Sequence, residues 1–424
     1  MLCKNIGVEN GILTFAGVPT PELISEFGSP LYVMDEQRIR ENCRTYADAM
    51  KKYFGGDSCA LYASKAASFN RMYHIVAEEG LGADVVSRGE LALALRAGIP
   101  ASKIVFSGVG KTPAELHDAV RADIKMLNLE SFEEARVLNE ISKSYGKKTP
   151  VSVRINPDVE AHTHEKISTG KKENKLGVDF ETAREIYRFA KKSDGLDPVG
   201  ADMHIGSQLL DVEPFRQAFL KLRGMLDVLR ADGLDIRVLD LGGGLGVAYS
   251  ENDKPAGVED YIAVVRETLG DAGCSFVFEP GRYLIAPAGI LVARVVYVKE
   301  AKEKRFELVD AGMHNLIRPA MYDSYHGVLT IDAGADDTQI YDVAGPVCES
   351  SDVFAKARAL PVLKQGDLIA FETAGAYGET MASNYNMHPL CAAVMVNDTE
   401  CAVLRRAQTL DEILSCQSEL AWRE

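Results

Sequence analysis

Residues 59–65 read CALYASK, a short β-rich run that ends in a lysine. Similar runs recur along the chain, and most are separated by helical patterns such as residues 131–145, 181–191 and 214–232. The candidate strands are residues 59–63, 82–86, 104–107, 125–129, 151–155, 200–205, 238–241 and 275–278. Eight β/α repeats over about 220 residues predict an α/β fold of the TIM (β/α)8-barrel type rather than an open doubly wound sheet.

The pattern of predicted secondary structure changes after Pro287, where helical patterns become rare. The β-like runs that follow are residues 290–298, 305–309, 367–371, 392–396 and 401–404. Residues 11–15 and 31–34 are also strand-like, and we expect them to pair with the C-terminal sheet. The sequence therefore predicts a barrel at residues 36–284. It also predicts a β-sandwich or β-barrel-like domain made of residues 1–35 plus 285–424.

Bulk composition excludes several classes of protein. The chain has 424 residues and a formal net charge of -15, without a sustained basic run, so a nucleic-acid partner is not expected. No apolar run is long enough for a membrane span, and the N-terminus lacks the apolar segment of a signal peptide. The eight cysteines form no CxxC pair, which disfavours a zinc site of that type. We expect a cytoplasmic protein with reduced thiols.

Polar residues follow four of the predicted strands, where TIM barrels carry their reactive groups. Lys65 follows the first, His204 ends the sixth, residues 242–246 (GGGLG) follow the seventh, and Glu279 ends the eighth. A partly desolvated lysine amine can form a Schiff base with an aldehyde. Taken singly, Lys65 is as readily a surface lysine, His204 a satisfied core histidine and Glu279 a solvated loop acid.

The triple glycine fits a phosphate cradle, because bare backbone N–H groups can approach an anion closely. No Gly-Lys-Ser/Thr follows it, and Val247 stands where a dinucleotide fingerprint needs its third glycine. A plain strand-to-helix turn is the alternative. His162 and His164 have the look of a metal pair, but no third ligand accompanies them, so we expect loop residues and no metal site.

The predicted β-domain carries a second set of candidates. Arg318 lies in NLIRP (315–319) and offers a planar fork suited to a carboxylate, although a surface ion pair would explain it equally. Cys348 lies in GPVCES (345–350), a segment too irregular for ordinary core packing, although an inert buried cysteine is the simpler interpretation.

Together these motifs resemble those of the fold-type III pyridoxal-phosphate-dependent decarboxylases, and most closely the diaminopimelate decarboxylase family. The matching runs are residues 62–65, 84–90, 154–157, 168–177, 204–208, 242–246, 279–282, 315–319, 345–350, 374–378 and 383–386. They occur in the family's order and span most of the chain. Two positions depart from the pattern: Leu176 replaces a usual aromatic residue, and Arg88 replaces a frequent glycine.

The resemblance implies a role for each candidate residue. Lys65 would bind pyridoxal 5'-phosphate covalently, His204 would stack on its ring, and Glu279 would pair with its ring nitrogen. Cys348 would donate a proton to the substrate, Glu349 would bind its distal amine, and both would reach in from the partner of a homodimer. The phosphate would be surrounded by Ser207, Gly243, Gly244, Pro280, Gly281 and Arg282. The distal carboxylate would be held by Arg282, Arg318 and Tyr322, with Tyr377 near both cofactor and substrate.

The implied reaction is the decarboxylation of meso-2,6-diaminopimelate to L-lysine and CO2, the last step of lysine biosynthesis. The alternative is a decarboxylase of another amino acid: ornithine, arginine, lysine or carboxynorspermidine. Those substrates lack a zwitterionic distal group, which Arg318 and Glu349 favour. A racemase on the same fold is disfavoured by Glu279, because a racemase benefits from a weaker electron sink. A non-enzymatic cofactor-binding protein would need Lys65 but not Cys348.

Overall fold

The computed structural model describes residues 1–54, 56, 58–159, 175–302, 304–332 and 337–418. The chain forms two compact units. The barrel unit comprises Arg40–Val247 and Lys254–Leu284, and the sheet unit comprises Met1–Ile39, Ala248–Asp253 and Ile285–Glu424. No helix in the described ranges is both long and apolar enough to cross a membrane.

Eight parallel strands close on themselves in the barrel unit, as the sequence predicts. In chain order the strands are Cys59–Ala63, Gly82–Val85, Ile104–Phe106, Met126–Leu129, Thr149–Arg154, Leu196–Asp202, Val238–Asp240 and Ser275–Phe278. Each overlaps one predicted run, and we call them barrel strands one to eight. The first strand pairs with the second and the eighth, so the residues that follow strands one and eight leave the barrel side by side.

Four of the helices around these strands begin at a short polar residue that caps them. Ser87, Thr112, Ser131 and Asp179 each accept a hydrogen bond from the backbone N–H of the third helical residue, which stabilises a helix start by about 1 kcal/mol. The helices of this part of the chain are Glu36–Phe54, Asn70–Glu78, Arg88–Arg96, Pro113–Ala122, Phe132–Ser144, Phe180–Lys192, Glu213–Ala231, Val258–Leu269 and Arg282–Ile285.

The barrel interior is apolar in one region and polar in another. Leu61, Val105, Met126, Val199 and Val277 form a buried apolar cluster. A separate set of buried polar residues comes from the ends of the strands: Asp84, Asn128, Ser152, Asp202 and Asp240. The amide of Asn128 donates to Asp240 at 3.1 Å, and these two lie on strands four and seven, which are not neighbours. The polar network therefore crosses the interior of the barrel.

The sheet unit is built on a nine-stranded mixed sheet and has its own apolar core. Its strands are Leu31–Asp35, Gly289–Glu300, Arg305–Val309, Val328–Thr330, Thr338–Ala344, Val353–Pro361, Leu368–Phe371, Ala392–Asn397 and Glu400–Arg405. Thr338–Ala344, Val353–Pro361 and Val328–Thr330 were not predicted. The helices of this unit are Thr20–Phe27, Arg318–Tyr322 and Leu410–Ser415.

The two N-terminal runs have different positions. Leu31–Asp35 lies inside the nine-stranded sheet, antiparallel to Gly289–Glu300 and parallel to Ala392–Asn397, which confirms that this run joins the C-terminal strands. Ile12–Phe15 belongs instead to a small three-stranded sheet with Ile6–Glu9 and Val18–Pro19. A single bridge from Ile12 to Asp332 connects it to the larger part of the unit.

Candidate active site

Lys65 lies in a short 3-10 turn, Ser64–Ala66, directly after the first barrel strand. Its Nζ is 3.6 Å from Oδ2 of Asp84, and the Asp84 side chain is fully buried. Burial raises the pKa of Asp84, and the positive charge of Lys65 acts in the opposite direction. Ser64 Oγ donates to the carboxylate of Glu90 at 2.7 Å, and this hydrogen bond holds the turn in place. The lysine amine is therefore held at the barrel rim by a buried acid.

Glu279 leaves the eighth strand next to that turn, because the Ala63 N–H donates to the carbonyl of Pro280 at 3.1 Å. Ser107 Oγ donates to Oε1 of Glu279 at 3.4 Å. Burial, followed by the nearby carboxylates of Asp240 and Asp84, holds the pKa of Glu279 well above its usual range. A cationic N–H group beside Glu279 would relieve this repulsion.

Asp240 and Asn128 belong to the buried hydrogen-bond network that reaches Glu279 through Ser107. Neither was singled out from the sequence. Asp240 Oδ1 accepts from the Gly242 N–H at 3.1 Å, while its other oxygen accepts from Asn128 at 3.1 Å. The same amide donates to Ser107 Oγ at 3.1 Å. Burial raises the pKa of Asp240 to about 7, and a hydrogen bond with Glu279 acts in the opposite direction.

His204 is half-buried beside the glycine cluster. The Gly243 N–H donates to its Nδ1 at 3.2 Å, so in the neutral ring the proton lies on Nε2. Burial, followed by the charges of Arg154 and Lys65, holds the pKa of His204 well below its usual range. The ring is therefore neutral at physiological pH and presents an aromatic face without a charge.

The glycine cluster has no room for side chains. A Cβ on Gly243 would collide with the carbonyl of Glu279, and a Cβ on Gly244 would collide with the carbonyl of Gly206. Gly244 also has φ +113°, a conformation that L side chains rarely adopt. Arg282 Nη2 donates to Ser207 Oγ at 3.1 Å, and the Leu284 N–H donates to the Gly281 carbonyl at 3.1 Å.

The barrel mouth thus combines the amine of Lys65, the imidazole ring of His204 and the buried carboxyl group of Glu279. It also contains a glycine-lined site next to Arg282 that could bind an anion. These residues fit pyridoxal phosphate, whose aldehyde, ring, ring nitrogen and phosphate need such partners. Nine of the predicted site residues lie in this one region of the barrel unit: Lys65, His204, Ser207, Gly243, Gly244, Glu279, Pro280, Gly281 and Arg282.

The remaining predicted residues lie in the sheet unit. Arg318 is buried at the first turn of the helix Arg318–Tyr322, where its Nε donates to Nε2 of His326 at 3.3 Å. Tyr322, the last residue of that helix, is half-buried, and so is Tyr377, which has φ +55°. The roles of Tyr322 and Tyr377 were expected from the resemblance alone, whereas His326 was not expected at all.

Cys348 and Glu349 are exposed in a turn that two other residues hold in place. The Cys348 N–H donates to Oδ1 of Asn386 at 2.8 Å. Buried Asp352 accepts from the N–H groups of Met313 and Val347 at 2.5 and 2.7 Å. Asp352 thereby ties the turn to the segment that leads into Arg318. The exposure of Cys348 excludes the alternative of an inert buried cysteine.

The two departures from the family pattern have local structural roles. Arg88 Nε donates to Asp118 Oδ2 at 2.9 Å on the surface of the barrel unit. The carbonyl of Leu176 accepts from the Asn156 amide at 2.9 Å, and the next N–H, that of Gly177, donates to Glu130 at 2.8 Å.

The loop histidines His162 and His164, together with most of the motif at residues 168–177, lie outside the described residues. Within the described ranges, no group of three or more His, Cys, Asp or Glu side chains is arranged to hold a metal ion.

Comparison with known proteins agrees with this geometry. Residues 36–286 match the family model for the pyridoxal binding domain of pyridoxal-dependent decarboxylases. The chain is 41% identical to a diaminopimelate decarboxylase of Zymomonas mobilis over 98% of this chain and 99% of that protein. It is 43% identical to the one of Pseudomonas aeruginosa over 95% and 96%.

Solved structures agree as well. The diaminopimelate decarboxylase of Helicobacter pylori in complex with L-lysine is 41% identical, with a TM-score of 0.89 over 93% of this chain and 98% of that one. The enzyme of M. jannaschii, also with L-lysine, is 34% identical, with a TM-score of 0.94 over 99% of both chains. Matched over nearly its whole length in sequence and in fold, the chain belongs to the diaminopimelate decarboxylase family of pyridoxal-dependent decarboxylases.

Proposed function

We propose that this chain decarboxylates meso-2,6-diaminopimelate to L-lysine and CO2 with pyridoxal 5'-phosphate as its cofactor. One observation supports this most strongly. The amine of Lys65, paired with Asp84, shares a barrel mouth with the buried acid Glu279 and the glycine-lined site at Gly243. Curated relatives that match along their full length are named diaminopimelate decarboxylase, and two similar structures hold L-lysine, the product of this reaction.

The barrel residues bind and orient the cofactor. Lys65 would hold it covalently through its amine, and Asp84 lies 3.6 Å from that amine at the rim. Glu279 would keep a proton on the ring nitrogen, His204 would lie against the ring, and Ser207, the glycine cluster and residues 280–282 would hold the phosphate. When bound, pyridoxal phosphate supplies an aldehyde for the substrate α-amine and a ring that accepts the electrons left by CO2.

The candidate residues of the sheet unit would bind the substrate and supply the final proton. Arg318 and Tyr322 would bind its distal carboxylate, Glu349 would bind the distal amine, and Tyr377 would contact the substrate. These contacts would fix the orientation of the substrate and of its scissile carboxylate, and such positioning lowers the barrier. Cys348 then delivers a proton to the α-carbon.

We also propose a homodimer in which each site is completed by Cys348 of the partner subunit and Glu349 of the partner subunit. The exposure of this turn supports the proposal, because the turn is accessible to a second copy. We also propose the domain boundaries predicted from the sequence, a cofactor-binding barrel at residues 36–284 and a β-domain of residues 1–35 plus 285–424, whereas the compact units place residues 36–39 and 248–253 with the sheet unit. A cytoplasmic location agrees with the eight free cysteines, since disulfides are rare there.

The test is to incubate the purified protein with meso-diaminopimelate, with and without pyridoxal phosphate, and to measure L-lysine and CO2. We expect stoichiometric formation of both, dependent on the cofactor and abolished in Lys65→Ala. The same assay with ornithine, arginine, lysine and carboxynorspermidine addresses the alternative. Faster turnover of any of these, or full activity in Lys65→Ala, would contradict the proposal.

A further inference from the structure

The guanidinium of Arg318 contacts His326, Ser324 and Tyr249 within the sheet unit. Its Nε donates to Nε2 of His326 at 3.3 Å, and its Nη2 donates to Oγ of Ser324 at 3.2 Å. The Arg318 Cζ also lies 4.7 Å from the centroid of the Tyr249 ring, so the cation rests on an aromatic face. Both hydrogen bonds lie along the Nε/Nη2 edge, and they fix the direction in which the Nη1/Nη2 edge points.

The hydrogen bonds of His326 determine its protonation state. Its Nδ1 lies 2.8 Å from the carbonyl oxygen of Glu372, which can only accept, so Nδ1 carries a proton. Arg318 Nε can only donate, so Nε2 must accept and carries none. His326 is therefore a neutral ring with one defined tautomer. A histidinium would turn an N–H toward the guanidinium N–H.

The backbone holds this ring in position. His326 precedes the strand Val328–Thr330, which pairs antiparallel with Leu368–Phe371, and the Glu372 N–H donates to the Gly327 carbonyl at 2.9 Å. The imidazole is fully buried, and the Tyr249 ring packs edge-on against it with centroids 5.2 Å apart. His326 and Tyr249 thus contact each other as well as Arg318, and form one packed group.

We propose that His326 and Tyr249 are positioning residues that orient Arg318 and thereby make the enzyme selective for ligands with a distal carboxylate. This inference rests on the proposed function, in which Arg318 binds that carboxylate. A carboxylate is bound best by an arginine fork that is already fixed, because less side-chain freedom is lost on binding. Neither residue is required to touch the substrate or the cofactor.

The test compares two inhibitors that differ only in the carboxylate. L-Lysine carries it, and 1,5-diaminopentane is the same molecule without it. We expect His326→Leu to raise the inhibition constant of L-lysine by about 10-fold or more, the usual effect of losing a hydrogen bond to a charged group. The constant for the diamine should change by less than about twofold, because no carboxylate is involved.

His326→Gln is the matched variant, because its amide can accept from Arg318 and donate to Glu372. It should restore the wild-type ratio of the two inhibition constants. His117→Ala, which removes an exposed histidine from the barrel unit, serves as a control and should leave the ratio unchanged. Tyr249→Leu should lower the preference for L-lysine and Tyr249→Phe should keep it, since only the ring face is needed.

The outcomes separate this inference from the proposed function. A wild-type protein that neither decarboxylates meso-diaminopimelate nor binds L-lysine would defeat the function itself. An active wild type with an unchanged inhibitor ratio in His326→Leu would defeat only the positioning role. If His326→Leu loses the cofactor absorbance band and is misfolded, Tyr249→Leu decides: a reduced L-lysine preference supports the inference, and an unchanged one overturns it.

Discussion

Glu279 is a residue at which we expect a single substitution to change the chemistry of the site. Its carboxyl lies among other buried acids, and burial raises its pKa well above the usual range. A bound ring nitrogen that carries a proton would place a positive charge beside it. We therefore expect Glu279 to do more than bind the cofactor, because its charge would determine how strongly the ring attracts electrons.

We expect Glu279→Gln to lower kcat by about 100-fold or more while cofactor binding persists, because an uncharged amide no longer stabilises the protonated ring. Stopped assays would give kcat, and the cofactor absorbance band would report occupancy. Glu259→Gln, which changes an exposed acid paired with Lys52, is the control and should retain normal kcat. Normal kcat in Glu279→Gln would show that the acid has no role in electron withdrawal.

A second buried acid, Glu307 in the sheet unit, should make the free energy of unfolding depend on pH. Neither of its carboxylate oxygens has a hydrogen-bond partner among the described residues. Burial, followed by the charge of Asp367, raises its pKa from 4.5 to about 8. Between these values the folded state holds one proton more than the unfolded chain, so folding stability falls by about 1.4 kcal/mol per pH unit as pH rises.

Glu307→Gln should remove this dependence. We expect the melting temperature of the variant to rise relative to that of the wild type between about pH 5 and about pH 8, because only the wild-type side chain must stay protonated in the folded state while it ionises in the unfolded chain. Melting temperatures of both proteins at several pH values would measure it. A constant difference in melting temperature across that range would contradict the assignment.

Several candidate site residues were predictable from sequence because they follow strands. Lys65, His204 and Glu279 were found this way. Asp84, Asn128 and Asp240 were not given roles, because a polar residue within a strand was counted only as part of the strand. The signal was nevertheless present: an uncharged apolar run interrupted by one acid or amide, as in VLDL (238–241), marks a buried polar contact.

At the level of secondary-structure elements, the glycine cluster after strand seven is tightly packed. We expect Gly243→Ala to reduce cofactor affinity by about 10-fold or more, because its methyl group would collide with the Glu279 carbonyl and displace the strand ends. Fluorescence titration of the apoprotein with pyridoxal phosphate would measure this.

Gly224→Ala is the matched control, since its helix Glu213–Ala231 leaves open space at that position. Alanine there should stabilise the helix by about 1 kcal/mol and leave cofactor affinity unchanged. Equal cofactor affinity in the two alanine variants would mean that the close packing at Gly243 does not shape the phosphate site.

The strands of the barrel were predictable because parallel strands buried on both faces read as compact apolar runs. Their ends were less accurate: Leu196–Asp202 begins earlier than predicted, since Asp197 and Pro198 conceal the run. Thr338–Ala344 and Val353–Pro361 were missed because polar residues such as Gln339, Lys356 and Arg358 interrupt their apolar pattern.

At the scale of the whole molecule, the proposed dimer predicts complementation between two inactive variants. Lys65→Ala removes the cofactor attachment, and Cys348→Ala removes the proton donor. If each site draws these residues from different subunits, random exchange makes half of the dimers mixed, and each mixed dimer has one intact site. Activity of the mixture should therefore return to about a quarter of the wild-type value.

The measurement is made after the two variants are unfolded and refolded together, with each variant refolded alone as the control. Sedimentation would establish the dimer independently. A mixture that stays as inactive as its components, in a protein that sediments as a dimer, would place both residues in the same subunit's site.

Reduction of the purified holoprotein with borohydride, followed by peptide mass spectrometry, tests the central claim most directly. It makes the bond between cofactor and protein permanent and identifies the lysine that carries it. We predict one phosphopyridoxyl group per chain, on the peptide that contains Lys65. A label on any other lysine, or none at all in a protein that remains active, would contradict the assignment of the barrel mouth as the active site.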